Sequence, residues 1–218
     1  MAANAPPAGG ADANEGIPMK IAVYGATGMV GREIAAEAVA RGHEVTAVSR
    51  GGADVPGASA RAAELGDLAT YKQLAGAHDA VVFSVAPPRN GDSHAAFVDA
   101  HEAISETLVP ARVFVVGGAG ATEVDGVQLK DLPGFPDAYR PEAVSMAEVL
   151  EAYNSASGLN WTMLAPAPRI APGERTGTYR LGVDSPAGDA VSTQDFAVAV
   201  LDELEAPKHE NRRFTVAN

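Results

Sequence analysis

The segment Gly25-Ala26-Thr27-Gly28-Met29-Val30-Gly31 sets three glycines three residues apart, between a short apolar run and a stretch of helical periodicity. Each glycine has its own use in a phosphate cradle. Gly25 permits a tight exit from a strand. Gly28 lets the backbone approach a pyrophosphate with no Cβ in the way. Gly31, one turn into the helix, permits close helix–sheet packing. The start of the helix then offers free N–H groups and the positive end of its dipole to an anion. The chemistry expected is dinucleotide binding; the plainer alternative is a glycine-rich turn.

A second position bears on which dinucleotide. At the end of the following strand a carboxylate would accept from the ribose 2′-OH of NAD, whereas an arginine accommodates the 2′-phosphate of NADP. The sequence has Ser49-Arg50 there, and the nearest acids, Asp54 and Glu64, are misplaced for a ribose contact. Arg50 can grip a phosphate through two parallel charge-assisted bonds. NADP is therefore expected over NAD, with a solvated loop arginine as the other reading.

These residues need a scaffold, and the chain supplies one. Lys20–Gly25 is a short apolar strand, Met29–Arg41 a helix with Val30, Ile34, Ala35, Ala38 and Val39 on one face, and Glu44–Arg50 a strand. Gly42 sits where a helix-ending glycine belongs. Together they make one β-α-β unit of about 30 residues, the size of a parallel crossover. The alternation continues: a strand at Ser59–Leu65, a helix at Leu68–Leu74, an apolar strand at Asp79–Ala86 and a helix at Ser93–Leu108. Then come a strand at Val113–Gly117, a helix at Pro141–Ser157, a strand at Asn160–Ala165, a helix at Ser192–Glu205 and a strand at Arg213–Val216. Ser192-x-x-Asp195 resembles a capping box. Strands alternating with helices throughout predict an α/β doubly wound parallel sheet, a Rossmann fold, as one domain over residues 19–218 with a small C-terminal lobe on the substrate side. Residues 1–18, rich in Ala, Pro, Gly and Asn, read as a flexible leader.

The GxxGxxG spacing resembles the atypical short-chain dehydrogenase/reductase family, in its NAD(P)H-binding, NmrA-like and flavin/biliverdin-reductase-like branch. The likeness covers residues 20–216. Gly66-Asp67-Leu68 matches the motif after the third strand, which implies contact with adenine. Val82-Phe83-Ser84-Val85-Ala86 matches the fourth-strand end, which implies that Ser84, Val85 and Ala86 lie beside the nicotinamide ribose. Val115-Val116-Gly117-Gly118-Ala119 matches the fifth-strand end. Asn160-Trp161-Thr162-Met163-Leu164-Ala165-Pro166 matches a strand whose proline, here Pro166, borders the nicotinamide. The family's Tyr-x-x-x-Lys relay is broken. Tyr139 is the tyrosine at a suitable distance, but Ala143 stands where Lys belongs, and no Lys occurs from Asp131 to Ala206. The serine position falls in the glycine-rich GGAGA, with Thr122 the first hydroxyl after it. Tyr139 is then either an unassisted proton donor or an ordinary tyrosine ahead of a helix.

The resemblance implies an NADPH-binding oxidoreductase acting on a small planar, quinone- or flavin-like, or carbonyl acceptor. The rival reading is an NAD(P)-binding redox sensor of the NmrA-like type that turns nothing over. An epimerase or dehydratase of sugar nucleotides is disfavoured by the missing relay and by the length.

Weaker signals surround these. His94 and His101 are seven apart on one predicted helix, so they share a face; with no compact partner cluster they read as solvated or capping histidines rather than metal ligands. Arg175 and Arg180, in a Gly-bounded segment after the sixth strand, are candidates for orienting an anionic substrate, or belong to a surface hairpin. The chain of 218 residues has no Cys, which excludes disulfides, thiol nucleophiles and thiolate metal sites. Its formal charge of −12 argues against phosphate-backbone binding to nucleic acid. No segment has the roughly 20 apolar residues of a membrane span. A cytoplasmic monomer or homodimer with a small-molecule substrate is the default expectation. Apolar residues make up 46 %, but 44 residues are Ala, so the larger apolar side chains are only just over half of that set.

Overall fold

The computed structural model describes residues 17–218; the expected leader, apart from Ile17 and Pro18, lies outside the described residues. In chain order the elements begin β1 (Lys20–Tyr24), α1 (Gly31–Ala40), β2 (Glu44–Ser49), β3 (Ser59–Ala62), α2 (Leu68–Ala75), β4 (Ala80–Phe83), α3 (Ala95–Ser105) and β5 (Arg112–Val116). There follow β6 (Glu123–Val124), β7 (Val127–Gln128), α4 (Arg140–Ser155), β8 (Trp161–Pro166), β9 (Arg169–Ala171), β10 (Arg180–Gly182), β11 (Ala190–Ser192), α5 (Thr193–Glu205) and β12 (Arg212–Ala217). The main sheet runs β10-β12-β8-β5-β4-β1-β2-β3. Every pairing in it is parallel except β10 on β12. The doubly wound sheet is thus present, with an antiparallel edge strand the sequence did not announce. The β6–β7 hairpin and the β9–β11 ladder are further additions, in segments too short to carry periodicity.

Strand alternation divides the core between the two faces of the sheet. Ile21 and Val23 of β1 join Ile34, Ala35 and Ala38 of α1 and Phe196, Val200 and Leu201 of α5 on one face. Ala22 and Tyr24 join Tyr71, Ile104, Val149, Tyr153 and Trp161 on the other. Strands apolar on both faces are what a helix-covered parallel sheet requires. The alanine excess has a place here. Ala35 and Ala38 of α1 and Ala197 and Ala199 of α5 are buried within one cluster, where small side chains let helices and sheet approach closely.

The ends of the helices follow their sequence signals. At the end of α1, Gly42 has φ +83°, its N–H bonds Val39 O at 3.0 Å and His43 N–H bonds Ala38 O at 3.0 Å, a complete Schellman ending. At α5, Ser192 Oγ accepts from Asp195 N–H at 2.9 Å. The Asp195 carboxylate does not complete a capping box. It accepts instead from Thr176 N–H, Thr176 Oγ, Gly177 N–H and Asn218 Nδ2, fixing the segment before β10.

At the amino ends of the strands a buried ion pair ties the layers together. Arg112 on β5 donates to Glu203 of α5 at 2.7 Å and to Thr162 of β8 at 2.6 Å. Burial opposes ionisation of Glu203. Bonds from His209, from the Lys208 and His209 N–H groups and from Arg112 outweigh it and hold the carboxyl below its usual range. Removing one partner of such a pair strands the other charge. Glu203→Ala should therefore lose about 3–5 kcal/mol in urea unfolding; a loss below about 1 kcal/mol would mean that Arg112 rehydrates freely.

Candidate functional site

The glycine segment leaves β1 at the carboxyl edge of the sheet, and its shape is set by two crowded contacts. Gly25 has φ +74°, and a Cβ there would run into the Ser84 carbonyl at the end of β4. A Cβ at Gly31 would run into the carbonyl of Gly25 itself. Gly31 therefore serves contact between helix and loop rather than between helix and sheet. Gly25 N–H and Ala26 N–H both reach Val48 O of β2, at 3.0 and 3.4 Å. Gly28 N–H closes a turn on Gly25 O at 2.9 Å.

Gly28 differs from its two neighbours. It is exposed, lacks a positive φ, and a Cβ on it would meet only Gly25 O, at 3.2 Å. Its missing side chain opens space outward. Around it the N–H groups of Thr27, Met29 and Val30 have no acceptor among the described residues. Helix α1 starts at Gly31, two residues later than its periodicity suggests, because residues 27–30 wind as turns. It also starts without a side-chain cap, whereas α2 is capped by Asp67. Open donors, an uncapped helix start and a bare Cα facing outward together form a cradle that fits the pyrophosphate of a dinucleotide.

The other expected positions line the same edge. Arg50 follows β2, is exposed and has no ion-pair partner among the described residues. Ser49 beside it accepts from Ala53 N–H and shapes the turn. Asp67 spends one carboxylate oxygen on the Thr70 N–H, so its first role is to cap α2, next to Gly66 and Leu68. Ser84 closes β4 by donating its N–H to Tyr24 O at 3.0 Å, and Val85 and Ala86 lead away from it. Gly117 N–H bonds Leu164 O, and Pro166, which ends β8, is buried beside Val216 of β12. Gly117 and Gly118 admit Met163 and Met146, which would crowd any Cβ at these positions to about 3.0 Å or less.

The relay positions are explained by packing. Ala143 of α4 is buried, and a Cβ on Gly120 would overlap its methyl group. The close seat of α4 against residues 119–121 is made by two small residues, Gly120 and Ala143. Thr122 is buried and donates to Ala119 O at 2.6 Å. Tyr139, 63 % exposed, stands just before α4. Three residues on, Glu142 holds the Arg89 guanidinium through two contacts, both at 2.8 Å.

Four expectations need correction. His101 is buried between Phe83, Phe97 and Tyr153, and burial lowers its pKa to about 3, so it is a neutral core histidine. His94 precedes α3 but does not cap it; its ring joins Pro88 O at 2.8 Å to Ser145 Oγ at 2.6 Å. Both rings do lie on the shared face, toward α4. Arg175 is bidentate to Glu37 on the α1–α5 side, both contacts at 2.8 Å, because a buried carboxylate needs partners. Arg180 donates to Asn218 O. Both side chains are thus attached to other parts of the chain, Arg175 through two contacts and Arg180 through one. The His94–Ser145 contact links residues 51 apart in sequence, which helical spacing alone does not disclose.

The two glycine environments separate in a stability measurement. Gly31→Ala should cost about 1–3 kcal/mol or more, since the overlap falls on backbone that cannot turn aside. Gly28→Val should lose about 1 kcal/mol or less, as an exposed change. Equal losses in chemical denaturation would contradict the distinction.

Comparison with known proteins agrees with this geometry. Residues 25–207 match the family model described as NAD(P)H-binding. The Bacillus subtilis protein YwnB is 40 % identical over 214 residues, covering 92 % of this chain and 99 % of that one. A structure from Burkholderia pseudomallei, named as a candidate exported protein, has TM-score 0.82 and 37 % identity over 92 % of this chain and all of its own. SP1627 of Streptococcus pneumoniae TIGR4, named as a candidate NADH-flavin reductase, has TM-score 0.82 and 31 % identity over 92 % of this chain and 99 % of its own. Among the described residues no helix is long and apolar enough to cross a membrane. With the Rossmann sheet, the open glycine cradle and these matches in hand, the chain belongs to the NAD(P)H-binding family of atypical short-chain dehydrogenases/reductases.

Proposed function

We propose that the protein is an NADPH-dependent reductase of small planar acceptors, flavins or quinones. The observation that carries this reading is the close seat of α4 on Gly120, which leaves Ala143 where the relay lysine would stand. Proton transfer by a positioned acid contributes about 10²–10⁴-fold where a reaction needs it. A site without an activated acid suits an acceptor whose reduced form takes its proton from solvent. The likeness to a protein named for NADH-flavin reduction supports the same class of acceptor; its name specifies NADH, whereas Arg50 favours NADPH.

The reduced nicotinamide supplies the hydride, and the chain's residues bind and orient. The N–H groups of Thr27, Met29 and Val30 and the bare Gly28 receive the pyrophosphate. Arg50 pairs with the 2′-phosphate. Gly66, Asp67 and Leu68 border the adenine. Ser84–Ala86, Gly117, Gly118 and Pro166 border the nicotinamide ribose and ring, and Tyr139 stands at the rim, where the acceptor enters.

Two measurements test the reading. In titrations, NADPH should bind more tightly than NADH. Arg50→Ala should narrow the gap by about 1.5–3 kcal/mol, the scale of a charged hydrogen bond, while Gly28→Val should abolish binding of both. Equal affinities in the unmutated protein would remove Arg50 from the 2′-phosphate.

The second is turnover against a panel of flavins, quinones and simple ketones. Flavins or quinones should be reduced faster than ketones, and Tyr139→Phe should slow turnover less than tenfold, below the usual general-acid contribution. A thousandfold loss would make Tyr139 a true catalytic acid. Tight NADPH binding with no turnover on any acceptor would identify a redox sensor instead.

A further inference from the structure

The segment joining β4 to α3 runs along the rim of the proposed site. It begins at Ser84, whose carbonyl lies against Gly25 of the cradle. It reaches Arg89, whose side chain is bidentate to Glu142, three residues after Tyr139 at the start of α4. It therefore spans from the glycine loop to the start of α4, beside the place proposed above for the acceptor.

Very little backbone bonding holds this wall. Among the described residues no N–H or C=O of residues 85–93 bonds to another backbone group. Pro87 and Pro88 have no N–H to offer. Pro87 is buried and Val85 packs against the core, but residues 89–93 are exposed. Two side-chain attachments to α4 remain. The Arg89–Glu142 pair is the weaker, because Arg89 is 70 % exposed and ion pairs in water contribute little. The other is the partly buried ring of His94.

The donors and acceptors around that ring determine what it does. Pro88 O can only accept, so Nε2 carries a hydrogen in either charge state of the ring. Ser145 Oγ lies 2.6 Å from Nδ1 and 2.9 Å from Pro141 O. Its hydroxyl donates to Nδ1 when the ring is neutral, or to Pro141 O when Nδ1 itself donates. The ring thus joins the segment to α4 with both nitrogens engaged, and Ser145 is buried where water cannot replace it.

We propose that His94 is a positioning residue for the acceptor site: by bridging Pro88 and Ser145 it fixes the β4–α3 segment against α4 and so shapes the wall beside the acceptor. This rests on the reductase reading for the word acceptor, but the bridge can be tested without it. The cradle for the dinucleotide lies at the other end of the segment, where Ser84 is held by its own strand bond. Loss of the bridge should therefore alter acceptor binding and spare the cofactor.

The experiment uses the full chain with His94→Phe, His94→Gln and Ser145→Ala. Phenylalanine keeps a ring and removes both bonds. Glutamine retains a donor for Pro88 and an acceptor for Ser145. Three quantities are read: trypsin cleavage after Arg89 under native conditions, FMN affinity by fluorescence titration, and NADPH affinity. For His94→Phe, cleavage after Arg89 should accelerate fivefold or more and FMN affinity fall fivefold or more, with NADPH affinity within twofold. His94→Gln should lie within twofold of the unmutated protein in all three. Ser145→Ala should accelerate cleavage in the same direction, and it decides the matter if the phenylalanine variant does not fold. Where turnover is present, KM for FMN should rise with kcat held within twofold. Unchanged cleavage in both Phe and Ala variants would refute the bridge. Faster cleavage with unchanged FMN affinity would refute its role at the acceptor, as would a matching loss of NADPH affinity. If the unmutated protein reduces no acceptor, the reductase reading fails, while cleavage and FMN affinity still decide the role of His94.

Discussion

The arrangement of the site depends on the crowding around one peptide unit. The Gly25 Cα faces the carbonyl at the end of β4, while the Gly25 carbonyl faces the first residue of α1. Three elements meet where no Cβ fits on either glycine. Overlap energies rise steeply at such distances, and backbone atoms cannot swing away as side chains do. The exit of β1 therefore fixes the start of α1 relative to β4 and leaves the N–H groups of Thr27, Met29 and Val30 without an acceptor among the described residues. The left-handed φ of Gly25 costs a glycine little and would strain any other residue. The shape of the cradle is a packing outcome before it is a binding one.

A similar contact seats α4 on the other face of the sheet. Gly120 and Ala143 meet methyl to Cα, so α4 sits close on the loop after β5. The glycines at the fifth-strand end and the alanine on the helix are one feature, a close helix–loop contact written twice in the sequence. The contact seats α4 firmly, with Met146 packed over Gly118 and Ser145 turned toward α3.

Much of this was legible in the sequence where a signal is local. The β-α-β unit, the Gly42 ending and the Ser192 cap follow from residues within one or two turns of each other, and the structure reproduces them. The limits of reading appear where partners are distant. Arg175 is a loop arginine in sequence and a partner of Glu37, 138 residues away, in space. His94 and His101 share a face as periodicity requires, yet one is a core residue and the other a bridge. Which of these holds depends on α4, more than 40 residues downstream. The short strands β6, β7, β9, β10 and β11 are of two or three residues and exist only because a neighbour pairs with them. A pattern of period two needs more length than that to be seen.

Charge sets the last constraint. With 28 acidic and 16 basic residues, the chain as a whole repels an anionic ligand. Many of its arginines are committed inside the fold: Arg41 to Glu37, Asp202 and Glu205, Arg112 to Glu203, Arg175 to Glu37, and Arg213 to Asp184. These pairs brace α1, α5, β5 and β12, and they neutralise the arginine charges locally. Salt screens exposed charges beyond about 8 Å at physiological ionic strength, so the distant acidic surface weighs little once a ligand is in the cradle. Attraction must then come from groups in direct contact, and the structure offers unbonded N–H donors at an uncapped helix start. An acidic protein can hold an anion on those terms only if the donors are already aimed, and the two glycine contacts that aim them are features of the bare chain.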